Sequence, residues 1–172
     1  MKQIRYSIVP TSLGRLLVAA TTRGVCAVSL ADSDTELLHF LHSEFPDAEI
    51  AHDEKGLRPW AETVRQLAEG SKAIGVPTDV AATEFQVRVW RELKRIPFGK
   101  TRSYREVAAT LGMPAAPRAV ARACATNPLA LLIPCHRVVA ANGELSGYRW
   151  GIQRKRALLE RERRAGSRKR RG

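Results

Sequence analysis

Apolar and polar positions alternate where the chain begins. Ile4, Tyr6 and Ile8 stand two apart, and two apolar runs follow, Leu16-Leu17-Val18-Ala19-Ala20 and Val25-Cys26-Ala27-Val28-Ser29-Leu30. The pattern predicts strands, and Thr11-Ser12-Leu13-Gly14 and Thr21-Thr22-Arg23-Gly24 supply turns between them. A three-stranded antiparallel meander is expected, with Cys26 in its core. The period then lengthens. Beyond Asp34, residues Leu37, Leu38, Leu41 and Phe45 recur at helical spacing until Pro46, and a second helix is expected over about residues 59–69, from Pro59 through Trp60, Val64 and Leu67. His39 and His42 lie three apart on the first helix with no third ligand nearby in sequence, so they read as ordinary helix-face residues.

Residues 70–82, carrying Gly75 and Pro77, read as a linker, after which the sequence changes character. Thr83-Glu84-Phe85-Gln86 is a capping box opening a helix with Phe85, Val89, Leu93 and Ile96 on its apolar face, and Pro97-Phe98-Gly99-Lys100-Thr101 ends it. A phosphate-binding loop requires a glycine where Lys94 stands, so the Gly-Lys-Thr here is not one. Ser103-Tyr104-Arg105-Glu106 is a second capping box, starting a helix through Val107, Ala108 and Leu111 that stops at Gly112-Met113-Pro114. Pro117 then suits the first position of another short helix. Two short helices joined by a tight turn are the pattern of a helix-turn-helix. Arg118 and Arg122, four apart, project from one face of the second of them. Its alanines suit close approach to a groove, and they suit packing against a neighbouring helix as well.

Charge divides the chain unevenly. Of the 172 residues, 1–82 hold 8 Lys/Arg against 11 Asp/Glu, a balance of -3, whereas 83–172 hold 21 against 6, a balance of +15. Only the second part suits a polyanion, for which nucleic acid is the first candidate, set against a merely soluble basic surface. The expected domains are 1–82, an N-terminal α/β domain with its linker, 83–163, a nucleic-acid-binding domain, and 164–172, a disordered basic tail. Residues 152–163 are expected to be helical. No stretch approaches a membrane span and the start lacks the features of a signal peptide, so a cytoplasmic protein is expected. The three cysteines, Cys26, Cys124 and Cys135, lack the spacing of a zinc site or a disulfide framework, and no metal is expected.

One of those cysteines stands in an unusual place. Leu131-Leu132-Ile133 leads to Pro134, and Cys135 then sits beside His136 and Arg137, ahead of Val138-Val139. A thiol acts as a nucleophile only as thiolate, which a proton acceptor or neighbouring positive charge favours. Cysteine is also a small hydrophobe often found buried and inert, and on local context the two readings are evenly matched.

The string Pro134-Cys135-His136-Arg137-Val138-Val139, with Arg118-Ala119-Val120 and Asn127 before it and Ser146-Gly147-Tyr148-Arg149-Trp150-Gly151 after it, resembles the methylated-DNA-protein-cysteine methyltransferases, the O6-alkylguanine repair proteins. Within them it is most like the C-terminal methyltransferase half of the bacterial adaptive-response regulators. The likeness is close over residues 83–162 and loose over the first domain. It does not extend to the cysteine-rich zinc module and separate helix-turn-helix of those regulators.

The resemblance implies an α+β fold: a ribonuclease H-like N-terminal domain with a three-stranded antiparallel sheet and helices, then a mostly helical, winged helix-turn-helix-like DNA-binding and active-site domain. It implies that Cys135 takes an alkyl group from O6 of guanine, or less efficiently O4 of thymine, in double-stranded DNA, once per molecule and without a cofactor. His136 would accept the thiol proton through a bound water, Glu162 would orient His136, and Asn127 would brace the turn holding the cysteine. Arg118 would fill the stack vacated by the flipped base, while Tyr104 would crowd the phosphate and assist rotation. Ala119 and Arg122 would face DNA, and Val138, Tyr148, Arg149 and Trp150 would line the base pocket. A monomer is implied. Alternatives stand beside this reading: a lesion sensor without catalysis, against which the presence of Cys135 argues, or a methylation-dependent regulator, and a Cys-His hydrolase oriented by Glu162.

Overall fold

The opening alternation folds as its spacing predicts. β1 (Gln3–Thr11), β2 (Gly14–Ala20) and β3 (Val25–Ala31) form an antiparallel meander, with Tyr6 opposite Ala19 and Val18 opposite Val28. Leu16, Leu17, Val18, Ala19 and Ala20 are all buried, so the central strand is covered on both faces and its sequence is a run rather than an alternation. α1 (Asp34–Glu44) is capped by the Ser33 hydroxyl, which accepts from the Glu36 amide, and it sets Leu37 and Leu41 against Ile4, Leu17, Ala19 and Ala27. Cys26 lies in the same core.

The computed structural model describes residues 1–72 and 75–171, side chains through 167, and the chain divides into two compact units. The first comprises residues 1–81 and 128–132. It departs from expectation in two places. A fourth strand, β4 (Glu49–His52), pairs parallel to β1 and gives the sheet order β3-β2-β1-β4. It is an edge strand with only Ile50 half-buried, so it has no apolar alternation to announce it. The second helix, α2 (Glu54–Ala68), begins well before Pro59, which lies inside it. The Asp53 carboxylate accepts from the Gly56 amide at 2.8 Å, and burial of Leu57 with this cap outweighs the missing N–H of Pro59. Part of the expected linker is fastened to β3: the Val25 amide donates to Pro77 O and the Asp79 amide to Val25 O. Residues 128–132 join the unit through Val28, whose amide donates to Pro128 O and whose carbonyl accepts from Ala130. Leu131 there takes a left-handed φ of 72°, at a cost of about 1–2 kcal/mol for a residue with a Cβ.

The second unit, residues 82–127 and 133 onward, opens with α3 (Glu84–Leu93) under the predicted Thr83/Gln86 capping box. The helix ends before Ile96, which single turns carry into the core. Then come β5 (Arg102–Ser103), α4 (Tyr104–Thr110) with its Ser103/Glu106 box, and α5 (Pro117–Ala125) with proline at its start. Trp90 on α3 donates through Nε1 to Ala123 O on α5 at 2.9 Å. A 3₁₀ turn (Cys135–Arg137) leads into β6 (Val138–Val139), which pairs parallel to β5 with Arg102 opposite Val138. α6 (Ile152–Arg171) closes the unit and corrects the expectation of a disordered tail, because the helix runs on past Arg163. The Arg, Lys and Ala residues there are good helix formers, and Glu160 pairs with Arg163 and Arg164 one turn on. No helix among the described residues is long and apolar enough to cross a membrane.

Candidate active site

Pro134 ends the apolar run and the chain turns tightly, which places Cys135 at the start of a 3₁₀ turn and 4% exposed. Asn127, fully buried just past α5, fixes that turn with one amide group: Nδ2 donates to Ile133 O at 3.1 Å and to Cys135 Sγ at 3.3 Å. Burial pushes the Cys135 thiol up, while the Asn127 bond and the charges of Lys155 and Arg149 pull it down.

Behind the cysteine lies a buried ionic group. His136 Nε2 is 2.8 Å from Glu162 Oε1, and Arg137 closes on the same carboxylate, with Nε 3.0 Å from Oε2 and Nη2 2.9 Å from Oε1. Arg137 Nη1 donates to Ile96 O at 2.9 Å, and its guanidinium lies 5.6 Å from the Phe98 ring centroid. Burial alone would raise the Glu162 carboxyl, but the hydrogen bonds from His136 and Arg137 hold it at about 2. Burial pushes His136 down, so its imidazole is neutral near pH 7 with Nε2–H donating to the ionised Glu162. Nδ1 then carries the lone pair, and no protein group among the described residues bonds to it. Gly99 approaches closely here: at φ 84° a Cβ would come within 3.3 Å of Glu162 O.

Cys135 borders a cavity of about 540 Å³. One wall is α5, where Pro117, Arg118, Ala121, Cys124 and Ala125 repeat at helical spacing; the other is loop residues 146–149, with Tyr104 at the start of α4. The Tyr104 hydroxyl donates to Ser146 O at 3.1 Å. Arg118 and Arg122 are exposed and Ala119 is half-buried. Arg149 lines the cavity and also donates through Nη1 to Thr126 O and Asn127 O. Tyr148 meets Trp150 edge-on at 5.3 Å between centroids, and its hydroxyl is buried without a partner among the described residues. Trp150 and Val138 are buried behind the cavity surface. An arrangement of this kind can bring a buried thiol, a neutral imidazole and an apolar chamber to bear on one electrophilic carbon.

For three residues the sequence gives no sign of the contacts they make. Arg137 pairs with Glu162. Cys124, taken as simple core, also lines the cavity, with burial pushing its thiol up to about 12. Lys155, in a helix that reads as a charged surface, is buried beneath the loop. Its neighbours Arg154 and Arg156 give no signal that sets it apart. No cluster of His, Cys, Asp and Glu that could hold a metal ion occurs among the described residues.

The family model described as "6-O-methylguanine DNA methyltransferase, DNA binding domain" matches residues 84–164. The Bifunctional transcriptional activator/DNA repair enzyme Ada of Escherichia coli K12 is 45% identical over 160 residues, covering 92% of this chain and 45% of that one, so the chain spans less than half of that relative. The inducible methylated-DNA–protein-cysteine methyltransferase of Bacillus subtilis is 40% identical over 152 residues, covering 87% and 85%. The crystal structure of the Mycobacterium tuberculosis O6-methylguanine methyltransferase superimposes with a TM-score of 0.78 at 34% identity, covering 94% of this chain and 93% of that one. OGT from the same organism, in complex with DNA, gives 0.76 at the same identity.

Proposed function

This chain belongs to the methylated-DNA–protein-cysteine methyltransferase family, and we propose that it repairs duplex DNA by moving the alkyl group of O6-methylguanine, or less efficiently O4-methylthymine, onto its own Cys135. The observation that carries this is the Cys135 thiol bonded by Asn127 at a cavity edge, with the next residue, His136, paired to Glu162. In a duplex O6 is hidden by pairing, so the base must leave the stack at a cost of a few kcal/mol. α4 and α5 act as a helix-turn-helix, Arg118 at the cavity mouth occupies the gap in the stack, Tyr104 crowds the phosphate, and Ala119 and Arg122 face the DNA. The domain as a whole, residues 83–163, is the winged helix-turn-helix part, and the first domain is ribonuclease H-like.

In the reaction His136 takes the thiol proton at Nδ1 through a bound water, and Glu162 stabilises the imidazolium. The thiolate sulfur attacks the methyl carbon, forming an S–C bond as the C–O6 bond breaks. The electron pair stays with the guanine, which is protonated; Tyr104 is the candidate donor. The flipped base sits against Tyr148 and Arg149 of the loop, with Val138 and Trp150 backing that pocket. A thioether has no ready leaving group, so each molecule turns over once, without S-adenosylmethionine or metal.

The test is mass spectrometry of the intact protein and its peptides after mixing with excess duplex containing O6-methylguanine. One added methyl on the Cys135 peptide, saturating at one per chain and absent in Cys135→Ala, is the expected result. Unmodified protein that still binds the duplex would replace this reading with that of a lesion sensor, and repeated turnover on an ester would replace it with that of a hydrolase.

A further inference from the structure

We infer that Leu131 is a positioning residue for Cys135: a strained turn centred on it, locked by the burial of its side chain, fixes the path by which the chain enters the cysteine turn. The inference rests on the reading of Cys135 as acceptor. Leu131 is the one non-glycine residue among those described that holds a positive φ, at 72°. Across it the Leu132 amide donates to Ala130 O at 2.8 Å. A bond spanning a single residue in this way closes a γ-turn, and with positive φ at the centre it is the rare, strained form. Left free, a residue with a Cβ would return to negative φ.

The chain is held on both sides of this turn. Upstream, the Val28 amide on β3 donates to Pro128 O at 2.9 Å and the Val28 carbonyl accepts from Ala130 at 3.1 Å, so the backbone is pinned up to the turn's first residue. Downstream, Ile133 O accepts from Asn127 Nδ2 at 3.1 Å and from the Cys135 amide at 2.8 Å. The second of these bonds closes another γ-turn, centred on Pro134 at φ -79° and ψ 60°, which is the common, relaxed form. Two γ-turns thus lie end to end between the Val28 pin and the thiol, joined by the Leu132–Ile133 peptide.

A strained conformation persists only where its surroundings over-determine it. Here the two pins do so together with the Leu131 side chain, which is 6% exposed. A return of Leu131 to negative φ would swing that side chain out of its packing and displace Ile133 O, which accepts from the same Asn127 amide group that donates to Cys135 Sγ. Of the residues between Leu131 and Cys135, Pro134 has a fixed φ and Ile133 is tied to Asn127, so few torsions remain to absorb a change at Leu131. Alignment matters for the reaction proposed. Attack on the methyl carbon is an in-line displacement, and a misplacement of about 1 Å can cost about a hundredfold in rate.

The experiment uses the full chain with Leu131→Gly, Leu131→Ala and Leu131→Met. In urea, Leu131→Gly is expected to unfold at a higher concentration than Leu131→Ala, the reverse of their usual order, because only alanine meets the left-handed penalty. Alanine as stable as glycine overturns the strained turn. Single-turnover transfer from an O6-methylguanine duplex is then set against alkylation of Cys135 by iodoacetamide and against affinity for the duplex. Leu131→Gly frees the backbone, and transfer is expected to slow about tenfold to a hundredfold. Its iodoacetamide rate, the pH midpoint of that rate and its duplex affinity are expected to match those of the unaltered protein, since a small diffusing reagent brings its own alignment to the sulfur. Leu131→Met keeps a buried side chain of similar volume and is expected to restore transfer. Full transfer in Leu131→Gly overturns the positioning role, and so does a Leu131→Met as slow as Leu131→Gly. An equal loss in transfer and in iodoacetamide alkylation overturns it too, because it would mark a general loosening. Should Leu131→Gly lack the native circular dichroism, NMR coupling constants of Leu131 in the unaltered protein decide: a positive φ supports the proposal, and a negative φ overturns it. If the unaltered protein transfers no methyl while Leu131→Gly still outlasts Leu131→Ala in urea, it is the acceptor reading that fails.

Discussion

The two units bury polar groups of different kinds. In the first, the buried polar residues among those described are Ser7, Thr21 and Ser29, all hydroxyl-bearing and none of them charged. In the second they include Glu92, His136, Lys155 and Glu162, together with Asn127. Buried ionisable groups are poor stabilisers, because desolvation offsets most of the attraction between them. A unit that keeps four of them is shaped by something besides stability, and here two of the four, His136 and Glu162, are bonded to each other with Cys135 next in the chain. The first unit is a packed sheet, whereas the second gathers the kind of buried titratable groups that mark a candidate site.

The comparison breaks most visibly if Glu162 proves expendable. Glu162→Gln keeps the shape but weakens the grip on His136 and leaves Arg137 without its counter-charge. Methyl transfer in single turnover is expected to fall about a hundredfold to ten-thousandfold, the range lost with a general base. The same change has a stability signature. The Glu162 carboxyl titrates at about 2 when folded against 4.5 ordinarily. Its contribution is therefore complete above about pH 4.5 and is lost as pH falls toward 2, amounting to about 3 kcal/mol. Unfolding in urea across that range should show the acid-dependent loss in the native protein and a flatter profile in the variant. An equal slope in both would mean that the ionic group does not distinguish the second unit.

A mutation in the first unit should have the opposite character. Leu17→Ala removes a fully buried side chain from the sheet's central strand, and the expected cost is about 2–5 kcal/mol of unfolding free energy. Among the molecules that remain folded, the single-turnover rate should equal that of the unaltered protein. A slowed rate with intact stability would reverse the division of labour argued here.

How much of this could be read beforehand follows from where each signal resides. The capping boxes at Thr83 and Ser103 are local chemistry, and both helices begin where the boxes place them. The meander is a period of two backed by turn residues, and it too is local. β4 escaped because an edge strand with one half-buried residue has no periodicity, and the start of α2 was displaced because proline suggests a first position while the real cap is Asp53. In the site, Cys135 beside His136 is legible in the sequence itself, Glu162 comes only through family likeness, and the structure bonds Glu162 to His136. Lys155 was missed because nothing separates it from Arg154 and Arg156 in sequence. Its burial depends on carbonyls of Val138, Ser146 and Gly147, which only the folded chain gathers.

The finest test lies on α6 itself, where two glutamates stand two residues apart. Glu160 pairs with Arg163 at 2.6 Å and with Arg164 at 3.1 Å, distances as short as those around Glu162. Those arginines are 67% and 71% exposed, whereas Arg137 on Glu162 is 14% exposed. Water and salt screen the outer cluster, and holding long side chains in one geometry offsets most of what the pairing contributes. Glu160→Ala is therefore expected to leave the transfer rate unchanged and to shift the unfolding midpoint by no more than repeat measurements scatter, with any residual shift vanishing in high salt. If Glu160→Ala instead slowed transfer as Glu162→Gln does, charge anywhere on this helix would suffice, and the buried geometry around His136 would not be what sets the second unit apart.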